Sequence, residues 1–139
     1  MTTIEEALEG STPLATRVRA GGPYRSAKEL VDQMRAVLPT LSEEEKVATL
    51  NAHPRIGEDP RRLSARSLNE QGKETLPELE RLNSQYERRF GFRFVVFVNR
   101  RPKGEIVEVL RRRLRRSRQQ EMEEGLQAIV DIAADRLES

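Results

Sequence analysis

The chain contains no cysteine and no tryptophan, one histidine, and only 4% aromatic residues among 139. Without cysteine there is no disulfide scaffold, no thiol nucleophile and no cysteine-ligated zinc. A single imidazole argues against a metal centre, because zinc sites recruit several histidine or cysteine ligands. Long apolar runs are also missing: none approaches the ~18 residues of a membrane span. The acidic start, with Glu5 and Glu6, does not match the basic opening of a secretory leader. These absences point to a cytoplasmic protein with no membrane partner. Apolar residues at 36% and charged residues at 35% give a polar but globular balance. Leu, Ile, Val and Ala must build the interior, and the length suits one domain over residues 1–139.

The formal net charge is only +2, but the basic residues are unevenly placed. Arg111-Arg112-Arg113-Leu114-Arg115-Arg116 and Arg118 crowd one segment, with Arg100, Arg101 and Lys103 just before it. That patch supports a rival reading, a basic helical module that binds nucleic acid. With 23 acidic residues in the chain and no aromatics interleaved, the patch reads instead as a solvated helix face. No nucleic-acid partner is expected.

Helical signals dominate. Ser26-Ala27-Lys28-Glu29 and Ser42-Glu43-Glu44-Glu45 match the capping box, in which a hydroxyl and the N3 carboxylate satisfy the orphan amides of a helix start. They predict helices over 27–37 and 43–52. Thr2 or Thr3 caps a short acidic helix ended by Gly10, and Thr12-Pro13 opens another to about Val18. Pro77 opens a helix to Phe90, with Gly91 as its C′ residue. Pro102 opens one through Ile106, Val109, Leu110 and Leu114. The last helix, over about 119–137, carries the apolar stripe Met122, Leu126, Ile129, Val130, Ala133 and Leu137. The fold class is therefore all-α, a compact multihelical domain with one irregular or extended apolar segment at about 92–98. That segment, Phe92-Arg93-Phe94-Val95-Val96-Phe97-Val98, has strand propensity, yet no second strand exists to pair with it. Its backbone groups need partners from elsewhere, and a ligand is one source; a buried helical or turn segment is the alternative.

Three places carry chemistry. His53, the only group that titrates near neutral pH, precedes Pro54, which pushes it out of helical geometry; it belongs where a helix stops, projecting from the turn at a pocket rim. Ser67, Glu70 and Gln71 share one face if their segment is helical, although a solvated helix surface would look the same. Arg136 falls on the apolar side of the last helix, beside Ile129, Ile132 and Ala133. A charge aimed at a core needs a partner, and a guanidinium suits a carboxylate. An internal salt bridge, for example to Glu70, or snorkelling at the chain end would also place it there.

In combination these residues resemble the 2-oxo-4-hydroxy-4-carboxy-5-ureidoimidazoline (OHCU) decarboxylases of uric acid degradation. The resemblance runs from Ser11-Thr12-Pro13-Leu14-Ala15 and Gly22-Pro23-Tyr24, through Asn51-Ala52-His53-Pro54 and Ser67-x-x-Glu70-Gln71. It continues in Leu82-Asn83-x-x-Tyr86 and Phe90-Gly91-Phe92-x-Phe94-Val95-Val96, and closes at Arg136-Leu137. It implies an all-helical, usually dimeric carboxy-lyase that needs no cofactor and no metal and acts on a small-molecule substrate, forming (S)-allantoin. By position it implies His53, Glu70 and Arg136 as catalytic residues. It also implies a substrate pocket of Pro54, Ser67, Leu68, Asn69, Glu70, Gln71, Arg136 and the backbone of Phe94, Val95, Val96, Phe97 and Val98. The chain departs from the family pattern in Arg55-Ile56-Gly57-Glu58 after His53-Pro54, and in a shortened interval from Ser67 to Phe94. A paralogue acting on a related ureido-imidazoline acid is the alternative these departures raise.

Overall fold

Side-chain hydroxyls set where the helices begin. The structure is a computed structural model that describes residues 2–56 and 77–138. Thr3 starts α1 (Ile4–Ala7) with a complete capping box to Glu6. Thr12 accepts from the Ala15 amide at 3.1 Å and starts α2, Pro13–Ala20, two residues longer than the sequence predicts. Ser26 caps α3 (Ala27–Val37) through its hydroxyl, the one half of the expected box that forms. Pro39 cannot continue an α-helical ladder, and the chain tightens into an unforeseen 3₁₀ turn at Leu38–Thr40. Ser42 and Glu45 make the full box of α4, Glu43–Asn51. After α5 (Pro77–Phe90), Gly91 turns away at φ +82°, a left-handed conformation that glycine adopts without steric penalty. Pro102 caps α6 (Lys103–Arg113), and α7 (Arg118–Glu138) closes the fold.

The long α7 is the spine, packing against α1, α3 and α4, while α2 lies on α3 and α4, and α5 pairs with α6. A side chain on Gly125 of α7 would put its first carbon 2.8 Å from a methyl of Leu50, so α4 rides close to the spine just before His53. Three of the four phenylalanines and one of the two tyrosines gather in a single cluster. Tyr86 meets Phe90 at 4.6 Å and Phe94 at 5.3 Å between centroids.

Residues 92–98 form neither helix nor strand. The segment runs through the core, with Phe92, Phe94 and Val95 buried. Arginines take the place of a partner strand. Arg113 donates to the Val95 carbonyl at 2.9 Å, and Arg101 donates to those of Phe97 and Val98 at 2.5 and 3.1 Å. Asn99 and Arg100, at φ +47° and +64°, then turn the chain back, and the Arg101 amide closes the turn on Val98 at 3.0 Å.

The basic patch is not a plain solvated face. Arg113 is 1% exposed and pairs with buried Glu121 at 2.7 Å. Arg111 pairs with Glu78 and Glu108, Arg116 with Glu124, and Arg118 with Glu43. These contacts spend the patch on holding α5, α6, α7 and α4 together, which removes much of the field a nucleic-acid footprint needs.

Candidate active site

Helix α4 stops at Asn51 because Pro54 follows three residues later. The His53 amide still reaches back to the Leu50 carbonyl at 3.3 Å, and the side chain then leaves the helix direction. It does not project from a rim as expected: His53 is 4% exposed. Its position is fixed from the backbone. One guanidinium nitrogen of Arg93 donates to the carbonyls of Asn51 at 2.9 Å and His53 at 3.0 Å, and the Arg93 amide donates to the Asn51 side chain at 2.9 Å. Immediately downstream, Arg55 grips Glu87 of α5 with two bonds, at 2.5 and 2.9 Å. Asn83 donates to the Ile56 carbonyl at 2.6 Å. The loop leaving His53 is thus clamped to the extended segment on one side and to α5 on the other.

The imidazole Nε2 is buried and has no hydrogen-bond partner. Burial pushes the His53 pKa down to about 4; the Glu9 charge pulls it up and the Arg136 charge pushes it down by lesser amounts. A buried polar atom without a partner is costly and calls for a functional account. At neutral pH the ring is an uncharged base with one unsatisfied nitrogen.

Arg136 enters the same neighbourhood from the end of α7 and is 2% exposed. Its guanidinium donates to the Ala7 carbonyl at 3.1 Å and the Glu6 carbonyl at 3.4 Å, and to the Glu9 carboxylate at 2.8 Å. The two carbonyls belong to the C-terminal end of α1, where a cation is favoured. Thr2 adds a bond from its hydroxyl to the Arg136 carbonyl at 3.3 Å. The internal salt bridge considered from sequence forms with Glu9; Glu70 lies outside the described residues. Glu9 itself sits at φ +62°, which carries a steric cost for a residue with a side chain.

His53 and Arg136 are therefore brought within electrostatic reach of each other, together with Glu9. Pro54 is half-buried beside them. Phe94 and Val95 lie in the core, whereas Val96, Phe97 and Val98 are half-buried. Arginines hold the carbonyls of this segment, and the amides of residues 94–98 donate to no backbone group among the described residues. Ser67, Leu68, Asn69, Glu70 and Gln71 lie outside the described residues. Among the described residues, no three His, Cys, Asp or Glu converge as a metal site, and no helix is long and apolar enough to cross a membrane.

Sequence reasoning missed Glu9, Arg93 and Arg113. Glu9 differs from Glu5 and Glu6 only in preceding Gly10, which marks a turn but names no partner. Arg93 offered a better signal, as a charge inside an otherwise apolar run.

The chain matches the family model of OHCU decarboxylase over residues 1–138. It is 33% identical over 140 residues to 2-oxo-4-hydroxy-4-carboxy-5-ureidoimidazoline decarboxylase of Haloferax volcanii, covering 95% of this chain and 83% of that protein. It is 31% identical to the uric acid degradation bifunctional protein of Bacillus sp. (strain TB-90) over 94% of this chain, but spans only 27% of that protein. In fold it is similar to a crystal structure of OHCU decarboxylase in the presence of (S)-allantoin, with TM-score 0.74 and 23% identity over 96% of this chain and 92% of the other. It is likewise similar to a crystal structure of (S)-allantoin synthase, with TM-score 0.71 and 22% identity over 96% of this chain and 46% of the other. A family match that runs the length of the chain, on a helical fold of the same shape, makes this protein a member of the OHCU decarboxylase family.

Proposed function

We propose that this protein is a cofactor-independent carboxy-lyase that converts OHCU to (S)-allantoin and carbon dioxide. The observation that carries the reading is a buried, unpartnered imidazole nitrogen placed beside a buried arginine, in a chain of this family.

The chemistry has three demands. The bond to the carboxylate breaks and its electron pair enters the adjacent π system of the ring; the resulting negative charge is stabilised; one proton from water ends on carbon, from one face. Arg136 meets the second demand electrostatically, with the amide edge of residues 94–98 facing ring carbonyls or nitrogens. Glu70, Ser67 and Gln71 take the orienting roles that family resemblance gives them. His53 handles the proton. Its neutral resting state suits this, because an anionic substrate arriving nearby favours the imidazolium, so the acid forms where it is needed. A homodimer in the cytoplasm completes the reading, and sedimentation of the purified protein tests the dimer.

OHCU decays and racemises slowly without a catalyst, so the informative assay is chiral. Circular dichroism of freshly generated substrate develops the (S)-allantoin signal faster with the protein present. No acceleration over buffer overturns the assignment, and selective turnover of a related ureido-imidazoline acid would establish the paralogue.

A further inference from the structure

Resting on that reading, we propose that Arg93 is a positioning residue: it sets where His53 stands against the backbone of residues 94–98, and so which face of the substrate receives the proton. Arg93 leads directly into the backbone that the reading gives to the substrate, and it also holds the histidine. A single guanidinium nitrogen donates to the carbonyls of Asn51 at 2.9 Å and His53 at 3.0 Å. The Arg93 amide donates to the Asn51 side chain at 2.9 Å. The His53 amide is held in turn by the Leu50 carbonyl at 3.3 Å. Both polar groups of the His53 backbone are therefore tied, one to helix α4 and the other to Arg93. From a residue pinned in this way the side chain leaves in one direction.

The bonds fall where the chain needs them. Carbonyls at and beyond the last turn of α4 have no partner inside the helix, and a cation is favoured at that end. The other clamps on the loop act after Pro54 and run to α5, from Arg55 to Glu87 and from Asn83 to the Ile56 carbonyl. Among the described residues, every hydrogen bond between residues 51–53 and residues 92–98 is made by Arg93. Asn51 is exposed and Arg93 half-buried, whereas the ring they place is 4% exposed. The joint thus lies outside the core, and the group it aims lies inside. Its consequence is stereochemical. Once the bond to carbon dioxide has broken, its electron pair forms a new C–H bond with the proton that His53 delivers, and water returns a proton to the ring. The reacting carbon is flat at that point and open on two faces, so the position of the donor selects the product. A displacement of about 1 Å at such a group costs rate as well as selectivity.

Two measurements on the full chain test this. One is the enantiomeric composition of the allantoin formed in the chiral assay; the other is NMR of the ring of His53, the one histidine in the chain. Arg93→Met should lower kcat by about ten- to a hundredfold and move KM by less than about threefold. Its allantoin should carry about half the (S) excess of the wild-type product, or less. Arg93→Lys should restore most of both, because one nitrogen makes both carbonyl bonds and an ammonium has donors enough for two. In the wild type, burial holds the ring's titration at about 4; in Arg93→Met the midpoint should rise by about one pH unit or more as the ring gains water. The charges that act on the ring are Glu9 and Arg136, both kept in the variant, so the shift reports a moved ring. A lowered Tm with full (S) excess and an unmoved ring signal would make Arg93 a brace for the fold and overturn the proposal. A raised KM with kcat intact would overturn it too. If Arg93→Met does not fold, Asn51→Ala removes the acceptor of the Arg93 amide at an exposed side chain and decides by the same readings. Unaltered (S) excess in an active Arg93→Met sinks this proposal and spares the decarboxylase reading. No turnover by the wild type removes that reading and the stereochemical claim with it, and the ring titration then decides whether Arg93 places His53.

Discussion

Arg113 and Val95 are 18 residues apart in sequence and joined by a 2.9 Å bond from guanidinium to carbonyl in the core. The same guanidinium lies 4.6 Å over the Phe94 ring and donates at 2.7 Å to Glu121, which also accepts from the Tyr86 hydroxyl at 2.6 Å. One side chain thus ties α5, α7 and the extended segment through a single buried carboxylate. Arg113→Met should destabilise the fold by about 3 kcal/mol, because it takes from Glu121 its buried cation and leaves only the half-buried Arg116, at 3.3 Å, to balance it. Arg113→Met combined with Glu121→Leu should recover much of that loss. Urea unfolding of both single variants and the double variant checks it, and additive losses would show that the pair is not coupled.

His53→Gln should abolish turnover, a loss of about 10²–10⁴ if its role is acid–base, and the pH dependence of stability should change with it. The native imidazole titrates near 4 instead of 6.5. Between those values the unfolded chain binds a proton that the folded chain refuses, so stability falls as pH drops from 6.5 toward 4 and is level below. The effect amounts to about 3 kcal/mol at most. Thermal unfolding of wild type and His53→Gln at pH 7 and pH 4.5 isolates it: the wild type should lose more. Identical losses would refute a buried neutral histidine.

Arg136→Lys keeps the charge but loses the planar fork, and kcat/KM should drop by about a hundredfold, with Arg136→Ala worse. The alanine variant should also unfold at lower temperature, because it removes a buried guanidinium that pairs with Glu9 and holds the Ala7 carbonyl. Removing the last turn of α7 should loosen α1 as well, since Arg136 holds the Ala7 carbonyl and Thr2 holds the carbonyl of Arg136. Unimpaired activity in the lysine variant would exclude Arg136 from substrate binding.

Arg100 occupies a left-handed position at φ +64° that glycine would take without strain. Arg100→Gly should therefore raise Tm, by an increment worth about 0.5–1 kcal/mol, with turnover unchanged. A lowered Tm would mean that the side chain does something the backbone strain obscures.

Helix starts were the most legible part of the sequence, because a cap is a local device. Thr3, Thr12, Ser26 and Ser42 each accept the amide their spacing foretells. That residues 92–98 break the helical pattern was legible from propensity, but the arginines that take their carbonyls, Arg101 and Arg113, were not. Burial of Arg136 followed from its place on the apolar stripe of α7. Its pairing with Glu9 did not, because a contact spanning 127 residues leaves no periodic trace. The depth of His53 was misjudged for a related reason: Pro54 fixes where α4 stops, but burial of the ring is a tertiary outcome that this local device does not encode.

The extended segment poses a second problem that the arginines solve. Phe94-Val95-Val96-Phe97-Val98 is an uncharged, β-branched and aromatic window without proline, the composition that seeds cross-β aggregation when its edges are open. A strand edge can template another chain only if its donors and acceptors alternate freely. Here Arg113 and Arg101 occupy the carbonyls of Val95, Phe97 and Val98, and charged Arg93 and Arg100 stand at the two ends. The folded protein thus presents a sequence suited to fibrils in a form that cannot recruit a neighbour, and losing Arg113 or Arg101 would expose that hazard before it exposed any defect in catalysis.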